Sequence, residues 1–565
     1  MHALKFLQHY QHWHPKFILC NLLLAIIVFW FIGAQHKAIS FHADDYGFIY
    51  NGSHQSVKDI KRIFNNGDMI DNANNMFDAS NQRRKTSFAE ALYRPLLLLI
   101  MGTEKKLFGL NAYKFHLVHT TLHTCVSLIL FNTIAFLSSP LAAFPLALFF
   151  AFHTSLRDYF FWQCYIQNSL EAFLFCLIVL LFFRWRRTDS ILALCGCLVI
   201  FFIALLLRET LLVLPALAGI WILLEAVSKG IERIKNSIKT SFLFTIPIIA
   251  YILLRFWAHP FSLSTSKLGI KHFAPPHTNS LLSLKGKFFD LLTWFIDLLG
   301  LKWLPEKTGF IKLLVIVFFI GFIIYAWRNN PYKKLILLSG IAALLLSWPS
   351  ILLVHCSRYI YLPTLCLAFL IGILTKSLSR KELKIFLAIF SAYALLQIFI
   401  TNNRLTKWVE QTSIEKKAVQ SLVTYFNEHA HTIAIGYPLR LLGTGTSQAL
   451  KFYGAKSLHV SSFILPSYDA WEQGKVGKFI YSINNNVVTI TSTTPQTLWF
   501  RKEVIHNITP FTLDKISAEN ADKVFSLSLT LESIEPRNFN IVYWNYENTT
   551  FEELNLNIKN KESFI

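Results

Sequence analysis

Two adjacent carboxylates, Asp44 and Asp45, follow the first hydrophobic segment of the chain. An ionised group beside hydrocarbon is costly unless another group pairs with it or uses it. Neighbouring acids can supply a general base, because each negative charge raises the proton affinity of the other carboxylate. The alternative interpretation is a solvated acidic turn that caps a helix.

Single arginines recur beside the hydrophobic segments, at Arg94, Arg157, Arg208 and Arg358. A guanidinium group can bind a phosphate or diphosphate through two parallel hydrogen bonds. Each arginine could instead be an interfacial residue whose charged end reaches the lipid headgroups. If the arginines face the acidic pair, the two sets together provide a base for a hydroxyl and positive charge for a leaving group.

Other polar residues within the hydrophobic segments have a structural interpretation. His116, His119 and His123 recur at helical spacing and share one face, which suits packing between helices better than metal binding, since no further ligand stands at metal-site spacing. Glu171 lies within a hydrophobic segment. Glu209 follows Arg208 directly, and a structural ion pair with a nearby basic group would explain it.

Composition identifies a polytopic membrane protein. Of 565 residues, 53% are hydrophobic, and the mean hydropathy is +0.42. The net charge of +21 lies almost entirely in residues 1–402, because residues 403–565 carry 16 basic and 15 acidic side chains. The excess basic residues fall in short loops between apolar segments, as the positive-inside rule requires, so the charge does not indicate nucleic acid binding.

A window of about 18 to 20 apolar residues predicts about eleven transmembrane helices. They lie near 17–34, 112–137, 139–155, 167–184, 190–207, 210–227, 240–257, 309–327, 334–354, 359–376 and 384–401. With the N-terminus in the cytoplasm, the strongly basic loops are cytoplasmic, and Arg157, Arg208 and Arg358 lie on the opposite side. The first segment is longer and bulkier than a signal-sequence core, so we interpret it as a retained anchor.

Residues 1–402 are therefore predicted to form a transmembrane domain with two large exterior loops, 35–111 and 258–308. The tail, 403–565, begins with an amphipathic helix and continues with strand-like runs, which predicts an α/β or β-rich exterior domain. No predicted cytoplasmic loop exceeds about a dozen residues. This leaves no room for a cytoplasmic nucleotide-binding domain, and so argues against ATP-driven transport by this chain alone and against a nucleotide-sugar donor.

Several short motifs occur in the order known from one family of membrane enzymes. They are Asp44-Asp45-Tyr46-Gly47-Phe48-Ile49-Tyr50-Asn51, Tyr93-Arg94-Pro95-Leu96, Leu107-Phe108-Gly109-Leu110, Phe115 to His123, Phe149 to His153, Arg208 to Pro215, and Ser357-Arg358-Tyr359-Ile360-Tyr361-Leu362-Pro363. Together they resemble the membrane region of GT-C glycosyltransferases, in particular the O-mannosyltransferases with tetratricopeptide repeats and their bacterial relatives. The chain lacks those repeats, and His153-Thr154 and Gln167 to Glu171 depart from the family pattern.

The resemblance implies a sugar donor on a polyprenyl phosphate and transfer with inversion to an acceptor on the exoplasmic side. It implies that one acid of the pair is the catalytic base, with Asp44 preferred over Asp45. Arg94 and Arg358 would lie near the donor phosphate, and Tyr359 and Tyr361 belong to the same motif as Arg358. A divalent metal is required by some members of the family and not by others, so the cofactor stays open.

Two other functions remain open. A transporter or flippase of lipid-linked sugars would use the same arginines without making a bond, although the broken helices and paired halves of transporters are not evident. A non-catalytic assembly protein could use the tail to bind a surface polymer. The acceptor could be a glycan, a lipid or a protein. The cysteine-free tail and the absence of a retention signal predict a bacterial inner membrane with a periplasmic C-terminal domain.

Overall fold

A computed structural model describes most of the hydrophobic part of the chain and the strands of the tail. The described residues are 15–42, 44–66, 93–156, 160, 162–226, 242–258, 291, 293–301, 308–328, 330–349, 359–428, 431–437, 453, 463–466, 479–484, 487–492, 511–518, 525–531, 539–545, 550–553 and 563–564.

Within these residues the hydrophobic part is helical. The helices are α1 (Pro15–Val28), α2 (Asp44–Gly52), α3 (Val57–Asn66), α4 (Pro95–Phe108), α5 (Ala112–Leu137), α6 (Pro140–Ala151), α7 (Ile166–Thr188), α8 (Ile191–Leu207), α9 (Leu214–Ala226), α10 (Thr245–Ala258), α11 (Gly309–Arg328), α12 (Lys333–Leu345), α13 (Tyr361–Leu374) and α14 (Arg380–Glu428). A π-helical turn, Phe29–Ala34, extends α1, and 3₁₀ turns lie at Thr154–Leu156, Gln163–Tyr165, Glu209–Val213 and Thr375–Ser377.

The predicted membrane segments all contain a helix. Five described helical stretches are long and apolar enough to cross a bilayer, and they are Phe17–Ala34, Ala112–Leu137, Gln163–Thr188, Gly309–Arg328 and Arg380–Tyr425. Four shorter apolar helical stretches lie at Pro140–Leu156, Ile191–Leu207, Thr245–Ala258 and Tyr361–Ser377. This architecture is that of a helical membrane protein.

Helix α5 lies at the centre of the bundle and packs against α1, α6, α7 and α13. Its histidines link it to its neighbours: His116 Nε2 is 2.5 Å from the Ile32 carbonyl oxygen, and His123 Nε2 is 3.0 Å from the Ala151 carbonyl oxygen. The Asn132 amide donates to Asn21 Oδ1 at 3.1 Å and joins α5 to α1. A polar contact between helices in an apolar environment specifies which faces meet.

The last membrane helix differs from its prediction. The sequence predicts a span at 384–401 and a separate amphipathic helix near Ser413 to Asn427, whereas the structure has one continuous helix, α14, over both. No glycine or proline interrupts residues 380–428, so nothing in the chain breaks the helix. The expected domain boundary at residue 402 therefore lies inside a helix.

The described part of the tail contains nine strands. They are β1 (His431–Tyr437), β2 (Phe463–Pro466), β3 (Phe479–Asn484), β4 (Val487–Ser492), β5 (Phe511–Ala518), β6 (Phe525–Leu531), β7 (Phe539–Asn545), β8 (Thr550–Glu553) and β9 (Ser563–Phe564). One sheet has the order β2-β1-β7-β8, with β1 parallel to both neighbours. The other has the order β5-β6-β4-β3-β9 and is antiparallel. The strand-like run near residues 497–500 lies outside the described residues.

Two glycines let the helix that carries the acidic pair lie directly on α4. A Cβ atom on Gly102 would lie 1.7 Å from the Gly52 carbonyl oxygen, and one on Gly52 would lie 1.9 Å from the Leu98 carbonyl oxygen. Both obstacles are backbone atoms, so neither contact can be relieved by a side-chain rotation. The position of α2 therefore depends on glycine at both sites.

We expect Gly102→Ala to destabilise the protein by ~1–3 kcal/mol or more, because the added methyl group must push α2 away from α4. The matched control is Gly321→Ala in α11, where no atom lies within 4 Å of the new Cβ. Thermal unfolding in detergent micelles, followed by tryptophan fluorescence, measures the difference. Equal midpoints for the two variants would show that α2 and α4 are not in this contact.

Candidate functional site

Asp45 is completely buried and fixes the turn that precedes α2. Its Oδ2 accepts the backbone N–H of His42 at 2.9 Å, and its Oδ1 accepts the backbone N–H of Cys164 at 2.7 Å. The second bond reaches the 3₁₀ turn immediately before α7. Asp45 therefore joins the first exterior loop to the start of α7.

Burial sets the protonation of Asp45. Loss of water raises the pKa of its carboxyl group from 3.8 to about 6, although hydrogen bonds from the His42 and Cys164 amides and the charge of the His42 imidazole oppose the rise. A carboxyl group that titrates near pH 6 can hold or release a proton near neutrality. The cause of this rise is burial, whereas the sequence predicts a rise from the charge of the neighbouring acid.

Asp44 begins α2, one residue before this anchor. The backbone of the turn is closed by the Asp45 N–H, which donates to the His42 carbonyl oxygen at 3.0 Å. Only the backbone of Asp44 is described, so its role as the base stays a prediction. His42 and Asp45, the described residues on either side, are both held by hydrogen bonds.

Arg94 stands in the break before α4. Proline at position 95 starts that helix and keeps the preceding residue out of the helical conformation, which leaves Arg94 with φ −134° and ψ 59°. From there its guanidinium donates to Glu209 Oε2 through Nε at 3.3 Å and Nη2 at 3.2 Å, and through Nη1 to Gln167 Oε1 at 3.2 Å. Both side chains of the ion pair are largely buried.

Arg208 occupies a second break, between α8 and the 3₁₀ turn Glu209–Val213, with extended backbone angles of φ −167° and ψ 146°. Its Nη1 donates to Asn168 Oδ1 and lies 3.7 Å from Glu171 Oε2. The guanidinium carbon is 4.5 Å from the centre of the Tyr359 ring, which is a cation–π distance. The Arg208 and Glu171 side chains are both buried.

Two buried pairs therefore lie together, Arg94 with Glu209 and Arg208 with Glu171. Burial alone would raise the pKa of Glu209, but the guanidinium groups of Arg94 and Arg255 hold it below its ordinary value. The Tyr251 hydroxyl donates to Glu209 Oε1 at 3.3 Å. A guanidinium has five N–H donors, so an arginine oriented by one carboxylate can also bind a second anion.

The acidic turn and the arginines meet on one short stretch of chain. Asp45 binds the turn before α7 at Cys164, Arg94 binds Gln167, and Arg208 binds Asn168 and lies near Glu171. At a rise of about 1.5 Å per residue these positions span ~10 Å along the axis. The start of α7, residues 163–171, thus contacts the acidic turn through Asp45 and both arginines.

The other predicted site residues have different positions. The Tyr361 hydroxyl lies 2.6 Å from His123 Nδ1 in α5. Arg157 and Arg358 lie outside the described residues. Among the residues that the structure describes, no group of three or more histidine, cysteine, aspartate or glutamate side chains could hold a metal ion.

The sequence interpretation missed Gln167, Asn168 and His42 as parts of this arrangement. It noted Gln167 to Glu171 only as a departure from the family pattern. A signal was present, because Gln167, Asn168 and Glu171 put three polar side chains into the first turns of an apolar helix. Such residues in a membrane helix need partners and mark the inside of a bundle.

Comparison with known proteins gives a weak likeness. No protein-family model and no curated protein sequence matches the chain. A solved structure similar to it is the crystal structure of ArnT from Cupriavidus metallidurans bound to undecaprenyl phosphate, with 12% sequence identity and a TM-score of 0.39 over 91% of this chain and 98% of that chain. A TM-score of this size does not establish a common fold, so the function has to be inferred from the residues of this chain.

The raised pKa of Asp45 predicts a pH dependence of stability. Since its folded-state pKa of about 6 exceeds the ordinary 3.8, the folded protein binds more protons than the unfolded chain in this window, and stability falls as pH rises through it. Asp45→Asn lacks this titration. The stability difference between wild type and Asp45→Asn should therefore shift by ~3 kcal/mol in favour of the variant between a pH well below 3.8 and a pH well above 6.

Denaturant unfolding at several pH values measures this difference, in which groups common to both proteins cancel. Asp59→Asn is the control, because Asp59 is partly exposed in α3 and hydrogen bonds from the Gln55 and Ser56 residues lower its pKa. A difference for Asp45→Asn that does not change with pH would contradict the raised pKa.

The Arg94 and Glu209 side chains should be strongly coupled in stability. We expect Arg94→Gln and Glu209→Gln each to cost ~3–5 kcal/mol, because each leaves a largely buried charge without its main partner, and the double variant to cost less than their sum. The pair of exposed Arg62 and partly exposed Asp59, 3.9 Å apart, is the control and should show no measurable coupling. A double-mutant cycle of unfolding in micelles gives both couplings, and additive effects at Arg94 and Glu209 would refute the pairing.

Proposed function

We propose that the chain is a membrane glycosyltransferase of the GT-C type, which moves a sugar from a polyprenyl-phosphate donor to an acceptor hydroxyl on the exoplasmic side with inversion. The observation that carries the proposal is the meeting of the acidic turn and two buried arginines on residues 163–171. The ordered motifs of the sequence support the same family. Residues 1–402 would form the enzyme domain and residues 403–565 an exterior domain.

In the proposed reaction the Asp44 carboxylate accepts the proton of the acceptor hydroxyl, while the oxygen of that hydroxyl attacks the anomeric carbon of the sugar. The bond between that carbon and the phosphate oxygen breaks, and its electron pair leaves with the polyprenyl phosphate. Attack from the face opposite to the phosphate inverts the configuration. Arg94 and Arg208, with Arg157 and Arg358 in the same predicted region, would balance the charge that develops on the phosphate.

Asp45 has a different part in this proposal. Its two oxygens accept backbone N–H groups of His42 and Cys164, so it holds the turn rather than reaching a substrate. Tyr359, under the Arg208 guanidinium, would orient that group toward the donor, and Tyr361 remains a candidate binding residue. The proposed location is a bacterial inner membrane, with the N-terminus in the cytoplasm and the tail in the periplasm.

The proposal is tested in a strain that lacks the chain and is complemented with variants. We expect Asp44→Asn to lower transfer by ~10²–10⁴-fold, because the acceptor loses its base. Asp45→Asn should reduce transfer through the position of the turn. Mass analysis of the surface glycans, and a membrane-fraction assay with lipid-linked sugars, measure the product.

Asp59→Asn and Arg62→Gln are matched controls, since Arg62 is exposed and Asp59 is partly exposed in the same predicted exterior loop, and both variants should restore the glycans. Normal transfer by Asp44→Asn, Asp45→Asn and the double variant would refute the enzyme assignment. Passage of lipid-linked sugar across the membrane without any glycan product would instead indicate a flippase or transporter.

A further inference from the structure

Helix α14 extends well beyond any bilayer. Its 49 residues, Arg380–Glu428, make a rod of ~74 Å at about 1.5 Å per residue, whereas the hydrocarbon core is ~30 Å thick. The first strand of the tail begins at His431, three residues after the helix ends. A displacement of the tail can therefore be transmitted along a rigid element.

The outer part of this helix lies against the acidic turn. Glu415 Oε2 is 2.5 Å from His42 Nδ1, and both side chains are buried. Thr412 Oγ1 accepts the backbone N–H of Ser40 at 3.2 Å, and the Trp408 ring lies edge-on to His42 at 5.0 Å between centroids. Positions 408, 412 and 415 share one face of a helix, so α14 presents a continuous stripe to residues 40–42.

His42 connects this stripe to Asp45. Its backbone N–H donates to Asp45 Oδ2, and its carbonyl oxygen accepts the Trp162 Nε1–H at 3.1 Å. The imidazole contacts Glu415 and packs on Trp162 and Trp408, while the backbone N–H of the same residue bonds to Asp45. Loss of the contact between His42 and Glu415 leaves a buried polar group without its partner. Movement of the turn would relieve this cost.

We propose that Glu415 is a positioning residue for the acidic turn, and that through it the tail controls the site at the start of α7. Contact between α14 and residues 40–42 holds the turn in place, and withdrawal of α14 releases it. The consequence for sugar transfer rests on the proposed function of Asp44. The coupling between α14 and the turn is independent of that function, because it concerns only the contacts among His42, Asp45 and Glu415.

Cys164 provides a native reporter of this coupling. Its side chain is buried and its backbone N–H is held by Asp45. Cys366 is buried in a different helix, α13, so its reactivity reports general unfolding. Maleimide labelling of the full chain in membranes, read for each cysteine by peptide mass spectrometry, follows both thiols at once.

We expect Glu415→Gln to raise the labelling rate of Cys164 about tenfold or more, since a buried ionic contact that holds the turn is lost, with Cys366 still protected. Glu410→Gln is the matched control, because Glu410 is exposed on the same helix, and it should label like wild type. Cys164 protection equal to wild type in Glu415→Gln would overturn the proposal.

Thr412→Val keeps the test decisive if Glu415→Gln also exposes Cys366. This variant removes the oxygen that accepts the Ser40 N–H without removing a charge, and it should raise labelling at Cys164 alone. If Glu415→Gln unfolds the protein generally and Thr412→Val labels Cys164 at the wild-type rate, the proposal is overturned.

Transfer kinetics separate this inference from the proposed function. Glu415→Gln should lower kcat and leave the KM for the lipid-linked sugar nearly unchanged, because Arg94 is oriented by Glu209 and Gln167, and Arg208 by Asn168. If Asp44→Asn transfers normally while Glu415→Gln exposes Cys164, the coupling stands and the enzyme assignment falls. An increased KM with unchanged kcat would show that Glu415 acts on donor binding and would overturn the positioning role.

Discussion

The cost of burying charge organises this protein. Within the described residues, two arginines and the acids Asp45, Glu171 and Glu209 lie in or beside a helical bundle where water is scarce. Each would be prohibitively costly alone, so each has to find a partner of opposite charge or a set of hydrogen-bond donors. The partners converge on the first turns of α7. Distant parts of the chain, around Asp45, Arg94 and Arg208, meet there.

The backbone supports this convergence through its interruptions. Arg94 and Arg208 both stand where a helix is broken, one before a proline and the other between a helix and a 3₁₀ turn. Non-helical backbone at such depth is tolerated only inside protein or along a cavity. At a helix break, a long side chain can point from the helix end into the bundle. A residue in the middle of a lipid-facing helix cannot point its side chain in that direction. The same features that weaken the helices locally therefore build the candidate site.

The function proposed for this arrangement requires a defined geometry. Transfer of a group to a hydroxyl needs the base, the donor phosphate and the acceptor in a defined geometry, and a hydrogen-bonded ionic network supplies one. A transporter instead needs an element with two stable arrangements. The contacts of Asp45 with His42 and Cys164 tie the acidic turn to α7, and the contact of His42 with Glu415 extends the network to the tail helix. The site and the tail are thus parts of one connected structure.

The sequence alone determined the helical membrane architecture, because the length and hydropathy of its apolar runs have one physical solution in a bilayer. It also singled out Asp44, Asp45, Arg94 and Arg208, since charged residues beside apolar segments stand out by type.

The partners of those residues were decided by tertiary structure. Gln167 and Asn168 are uncharged, and Glu415 lies about 370 residues from His42, in a helix that was expected to end its membrane part at 401. Hydrophobic periodicity shows which face of a helix is buried, but the choice of neighbour depends on how distant helices pack, and that information is spread over the whole chain.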